Sequence, residues 1–163
     1  MGIVKKINIT NQSGANTFYV VDAYLESGMG IVGDRYYNNF KHPREQVTLI
    51  EEEIIQDFEK KIDKKIDSKD FRRNIITEGI ELTKFINKKI KIGDEVILKI
   101  HELCQPCMYL QKKLNIENLV KLLVNKSGIQ TEVLTSGTTK NETETLTHSP
   151  PLLFPLSSTL PSK

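Results

Sequence analysis

Apolar and polar residues alternate most cleanly at Ile90, Ile92, Val96, Leu98 and Ile100, around Gly93-Asp94. A period of two puts alternate side chains on one face, so this stretch predicts two strands joined at the glycine. The period changes at Ile50, Ile54, Phe58 and Ile62, which recur every four residues with Glu, Asp and Lys between them. That spacing predicts an amphipathic helix from Glu51 to about Lys65. Shorter β-prone runs cover Ile3 to Ile9, Phe18 to Leu25, Val47 to Ile50, Ile75 to Thr77 and Ile129 to Leu134. Asn11-Gln12-Ser13-Gly14 reads as a turn, and Gly28, Gly30 and Gly33 mark a loop of unusual backbone freedom. Asp67-Ser68 can cap a short turn leading to Phe71-Arg72-Arg73-Asn74. Pro106 suits the first turn of a helix running through Leu110 and Leu114, and Leu119 to Leu123 suits another.

After about Ser136 the periodicity stops, and Thr, Ser, Asn and Pro dominate. The expected organisation is therefore one domain over 1–137 and an unstructured Pro/Thr/Ser-rich tail over 138–163. The length suits a single domain able to bury one core without disulfides. Lys and Arg number 23 against 21 Asp and Glu, a net charge of +2, which gives no reason to expect nucleic acid as a partner. No apolar run approaches the length of a membrane span, and the first residues lack a signal-peptide core. The expectation is a cytoplasmic protein acting on a small molecule. In a reducing compartment Cys104-Gln105-Pro106-Cys107 points to metal or redox chemistry rather than a structural disulfide.

A cysteine at a helix start sits where backbone N–H groups favour the anion, and a thiolate is both nucleophile and soft metal ligand. Cys107 is thus a candidate. The spacing alone also suits two small buried hydrophobes or a thioredoxin-like redox pair. Zinc would need two further ligands, and neither His42 nor His101 has a convincing spacing for the role. In Gly33-Asp34-Arg35-Tyr36, Arg35 could hold an oxyanion with Asp34 orienting it, or the loop could be a surface turn with a local ion pair. Arg72-Arg73-Asn74 suits an anion pocket or a solvated basic turn equally well.

The order of these motifs resembles a known family. Gly33-Asp34-Arg35-Tyr36 is followed by Gln46-Val47-Thr48-Leu49-Ile50-Glu51. Arg72-Arg73-Asn74-Ile75-Ile76-Thr77 then leads to Gly79, Ile80 and Leu82. Ile92-Gly93-Asp94 and Cys104-x-Pro106-Cys107-x-x-Leu110 close the series. The series resembles the MOSC family, the C-terminal domain of molybdenum-cofactor sulfurases, over roughly residues 3 to 137. The resemblance implies a mainly β fold, a barrel like that of pyruvate kinase with a few short helices. It implies molybdenum cofactor (molybdopterin) bound with Cys107 as the metal ligand and catalytic residue. Asp34, Arg35, Tyr36, Arg73, Asn74 and Thr77 would line the cofactor pocket, with Cys104 auxiliary or structural.

The activity it implies is an oxidoreductase reducing N-hydroxylated compounds, with electrons from a separate reductase. The alternatives are a sulfur-carrier or cofactor-delivery protein using a Cys107 persulfide, and an inactive remnant barrel. Pyridoxal phosphate is associated with the family because sulfurases join this domain to a cysteine desulfurase. No such domain or lysine motif is expected within these residues. The family's final glycine-acid turn and apolar strand have no counterpart after Gly137, so the barrel is expected to keep an unpaired edge.

Overall fold

A computed structural model of the chain describes residues 2–38 and 42–142, and 144–148 as backbone. Eleven strands are joined by three short helices among these residues. The strands are β1 (Gly2–Ile9), β2 (Phe18–Val20), β3 (Asp22–Glu26), β4 (Gly30–Ile31), β5 (Val47–Glu51) and β6 (Ile75–Glu78). They continue with β7 (Lys89–Ile92), β8 (Val96–Leu103), β9 (Ile129–Thr135), β10 (Gly137–Lys140) and β11 (Glu144–His148). The helices are α1 (Glu52–Ile62), α2 (Met108–Leu114) and α3 (Leu119–Leu123).

Eight strands form one sheet in the order β11-β7-β8-β9-β5-β6-β1-β2, and β11 also pairs with β1. That extra pairing closes the sheet into a ring. β1 serves two neighbours along one edge: Gly2 and Ile3 lie opposite Thr145 and Glu144, while Ile7 to Ile9 lie opposite β2. A three-stranded sheet, β10-β3-β4, adds Ala23, Leu25 and Ile31 to the barrel core.

Val47-Thr48-Leu49-Ile50 and Ile75-Ile76 are contiguous rather than alternating because β5 and β6 are covered on both faces. Leu49 and Ile75 belong to the barrel interior, with Ile90, Leu98, Ile100 and Ile129. Ile50 and Ile76 belong to a second cluster, with Ile55, Phe58, Phe71, Leu110 and Leu119, that fastens the helices to the barrel wall. β5 and β6 pair in parallel, so the chain must cross over between them, and α1 is that crossover. Strands joined in this way are buried on both sides and read as apolar runs. α1 buries Ile55 and Phe58, and Phe58 meets Phe71 edge to face at 5.8 Å. Each such side chain contributes about 1.5–3 kcal/mol through burial.

Two expectations are corrected. The tail was expected to begin at 138, yet β10 pairs with β3 and β11 pairs with both β7 and β1. Threonines are the reason. They are strand-forming but not apolar, so a search for hydrophobic alternation passes over them. Thr139 points inward at 1% exposure, and Thr138 faces out. The barrel edge expected to stay unpaired is the one β11 covers. Residues 149–163, the rest of the expected tail, lie outside the described residues. The second correction is smaller: α2 begins at Met108, with Cys107 as its N-cap and Pro106 just before the helix.

Candidate functional site

Three segments far apart in sequence meet at one end of the barrel. The first follows β4. Gly33, at φ +87, turns the chain so that the Asp34 carboxylate accepts the N–H of Thr10 at 3.1 Å and that of Tyr36 at 3.2 Å. The Arg35 N–H donates to the Thr10 carbonyl at 2.6 Å. Asp34 is therefore the fastener that ties this loop to the end of β1, and it is buried in that task.

The second segment leads into β6. A 3-10 turn over Ser68–Phe71 is capped by Asp67, whose side chain accepts the Lys69 N–H. The turn ends with Arg72 in the left-handed conformation at φ +60. This reversal sends Arg72 and Arg73 in different directions. The Arg72 guanidinium donates to the Ala15 carbonyl. Arg73 donates from Nε to the Ser127 carbonyl at 2.6 Å and from Nη2 to Ser127 Oγ at 2.9 Å.

The third segment joins β8 to α2. Cys104 is buried, and its N–H donates to the Gly128 carbonyl at 2.8 Å. Gly128 has φ +91, and a Cβ there would lie 2.1 Å from the Leu49 carbonyl oxygen, so only glycine fits. Gln105 and Asn125 hold each other by two hydrogen bonds, of 3.0 and 3.3 Å. Cys107 is exposed, and its carbonyl accepts the N–H groups of Leu110 and Gln111. Both cysteines are free thiols.

These segments enclose a cavity of about 300 Å³. Cys107, Gln105, Tyr109 and Leu110 form one side, and Phe71, Arg72 and Arg73 form another. Arg35, Tyr36, Ser13 and Gly14 complete it, and the Tyr109 hydroxyl donates to the Gly14 carbonyl at 3.2 Å. The volume is at the small end of the range for ligand pockets.

Three guanidinium groups share this space, and none of the residues lining it is a carboxylate. Arg35 stacks on the Tyr36 ring at 4.4 Å and donates from Nη2 to the Arg72 carbonyl at 3.4 Å. Its Nη1 is buried with no partner among the described residues. Burial, followed by the nearby Arg35 charge, pulls the Arg72 guanidinium below its ordinary pKa. An anion between the two would relieve both the repulsion and the orphaned donor. Burial raises the pKa of the Cys104 thiol, keeping it protonated, so the accessible sulfur in the cavity is that of Cys107.

Of the residues expected at the site, Cys107, Arg35, Tyr36 and Arg73 are brought together. Asp34 supports the loop from behind rather than orienting the Arg35 guanidinium. Asn74 and Thr77 do not line the cavity. Asn74 Oδ1 accepts from the Thr48 N–H and hydroxyl, and its Nδ2 donates to the Asn8 carbonyl. Thr77 is wholly buried in β6, its hydroxyl 3.5 Å from the Ile50 carbonyl. Sequence reasoning left Arg72 between an anion pocket and a solvated basic turn and did not place Tyr109 in the site. The adjacent arginines were a signal for the first, but only the left-handed turn reveals that both reach the cavity. Tyr109, two residues after Cys107, gave no separate signal. Among the described residues no cluster of three or more His, Cys, Asp or Glu could hold a metal ion.

A family model described as the MOSC domain matches residues 36–144, which include Tyr36, Arg72, Arg73 and Cys107. The chain belongs to the MOSC domain family. This match runs past residue 137, through β10 and into β11. Among curated proteins none matches. Solved structures share the MOSC fold at low identity. The YuaD protein of Bacillus subtilis is 18% identical with a TM-score of 0.77, over 91% of this chain and 97% of that one. YiiM of Geobacillus stearothermophilus is 14% identical with a TM-score of 0.73, over 90% and 74% of the respective chains. YiiM of Escherichia coli is 16% identical with a TM-score of 0.69, over 90% and 70%. The MOSC family is associated with molybdenum-cofactor enzymes. No helix among the described residues is long and apolar enough to cross a membrane.

Proposed function

We propose that this MOSC domain holds molybdenum cofactor in the cavity bounded by Arg35, Arg72 and Cys107, and that it reduces N-hydroxylated compounds. The observation that supports this most is a juxtaposition. One exposed thiol shares a pocket with three arginines, one of which has a buried donor unspent. A soft thiolate suits molybdenum, and guanidinium groups suit the phosphate of a pterin cofactor.

The residues divide the work by chemistry. Cys107 would anchor the metal through sulfur. Arg35 and Arg72 would take the anionic group, with Tyr36 stacked under Arg35 to hold that guanidinium in plane. Arg73, fixed to Ser127, keeps positive charge beside the Cys104–Cys107 turn. Phe71 and Leu110 form the apolar part of the wall. When bound, the cofactor supplies oxygen-atom transfer coupled to two-electron redox chemistry. A separate electron-donor reductase, meeting the protein as a transient partner in the cytoplasm, would return the electrons.

An assay of the purified protein from a cofactor-making host tests this reading. Reduced methyl viologen serves as donor and an N-hydroxylated amidine as acceptor. Amidine formation by wild type but not by Cys107→Ala is the expected result. An equal rate with Cys107→Ala would overturn it. A wild type that is inert but carries a cyanide-releasable sulfur on Cys107 would replace it with sulfur carriage.

A further inference from the structure

A second cavity, of about 640 Å³, lies between α1, α3 and the segment after β6 and shares no lining residue with the first. The edge-to-face pair Phe58–Phe71 forms the partition, Phe58 lining the larger cavity and Phe71 the smaller. Its floor is apolar, made by Ile54 and Phe58 of α1, Leu122 and Leu123 of α3, and Ile80 after β6. Its size is typical of small-molecule pockets.

The charge around this floor is one-sided. Glu51, Glu53, Asp57 and Glu81 line the cavity against two lysines, Lys61 and Lys126. Lys61 lies 3.8 Å from Asp57, a partly solvated pair on α1 that offsets one of the four carboxylates. Glu53 accepts the Gly79 N–H at 2.6 Å, and Glu81 pairs with Lys84 at 2.7 Å. Glu51 is different: at 5% exposure it is the buried carboxylate of the set, and no ion pair is made to it among the described residues. Its Oε1 accepts the Leu82 N–H at 2.8 Å. Burial raises its pKa, against the lowering effect of the Leu82 N–H and its own N–H, and the Glu53 and Glu81 charges add to the rise. Buried carboxylates are ordinarily paired with a cation.

We propose that this cavity is a second binding site, for a small organic cation whose aromatic or aliphatic body lies on Ile54, Phe58, Ile80 and Leu122 and whose ammonium group pairs with Glu51. The body supplies the apolar contact and the head group supplies the missing countercharge. A neutral or anionic molecule of the same shape gains only the first. This site is independent of the cofactor reading, since the two cavities have no residue in common.

Three probes of one shape test it on the full chain: 1-naphthylmethylamine, 1-naphthylmethanol and 1-naphthoate. Naphthalene fluorescence, read to the red of tyrosine emission, reports binding in a chain that contains no tryptophan. The amine is expected to bind about tenfold more tightly than the alcohol, the value of one charge-assisted contact, with the carboxylate weakest. Glu51→Gln, which keeps the acceptor for the Leu82 N–H, should erase the amine's advantage while the alcohol binds as before. Leu122→Arg, which sets a cation at the cavity wall, should abolish amine binding in a protein that circular dichroism shows to be folded. Equal binding of all three probes, or no binding of any, overturns the proposal. So does an amine preference that survives either substitution.

Discussion

Asn74 and Arg72 stand two residues apart in the segment that leads into β6, both nearly buried, and their side chains are used in opposite ways. The Asn74 side chain makes three hydrogen bonds to the barrel wall, accepting two from Thr48 on β5 and donating one to Asn8 on β1. The Arg72 side chain makes one hydrogen bond among the described residues, to the Ala15 carbonyl, and faces a like charge, Arg35, whose own Nη1 is unspent. A buried polar group whose bonds are complete is scaffold, and its loss is felt in stability. Buried cations with unspent capacity cost stability and are kept for what they can bind. The difference separates supporting residues from binding residues more sharply than their adjacency in sequence does.

The scaffold side should break hardest at Gly128, which supports both the Cys104 turn and the Ser127 contact of Arg73. Gly128→Ala drives a Cβ into the Leu49 carbonyl, and a loss of about 4 kcal/mol is expected in urea unfolding, with loss of the cavity. Asn74→Ala should cost about 3 kcal/mol, because it strands the Thr48 donors and the Asn8 carbonyl inside the wall. Arg72→Ala should cost about 1 kcal/mol or less in the same measurement. It should nevertheless weaken inorganic phosphate binding, followed by thermal shift, by about tenfold, the worth of one charge-assisted contact. If Arg72→Ala unfolds as readily as Asn74→Ala, the two residues do not differ as described.

The cysteines give the smallest and most selective effect. Iodoacetamide should label the native protein at Cys107 and reach Cys104 only on unfolding. Burial raises the Cys104 pKa, so its folded thiol stays neutral where the unfolded one ionises. Wild type should therefore lose stability relative to Cys104→Ala as pH rises above the ordinary thiol value, and show no such difference below it. Equal labelling of both cysteines in the native state would count against the assignment of Cys107 as the accessible sulfur.

Much of this was legible in the sequence. The four-residue period of Ile50, Ile54, Phe58 and Ile62 gave α1, and strict alternation gave β7 and β8, because each pattern reflects one buried face. Motif order gave the MOSC family and the mainly β barrel. Cys107, Arg35, Tyr36 and Arg73, singled out from separate motifs, line one cavity. Asn74 and Thr77 do not, since a motif records that residues are adjacent and not which way a strand turns each of them. Arg72 was hidden by the same limit: a left-handed residue reverses the direction of the next side chain, and nothing in Arg-Arg announces it. β10 and β11 were hidden by composition, because threonines can complete a barrel without adding to its hydrophobic pattern.

We propose that Cys107, and not Cys104, anchors a molybdenum cofactor in the arginine-lined cavity. It is tested most directly by the molybdenum and pterin content of wild type, Cys104→Ala and Cys107→Ala, purified from a host that makes the cofactor. The account predicts near-stoichiometric metal and pterin in wild type and Cys104→Ala, and their loss in a folded Cys107→Ala. A wild type without cofactor, or a Cys107→Ala protein that retains it, would contradict the account.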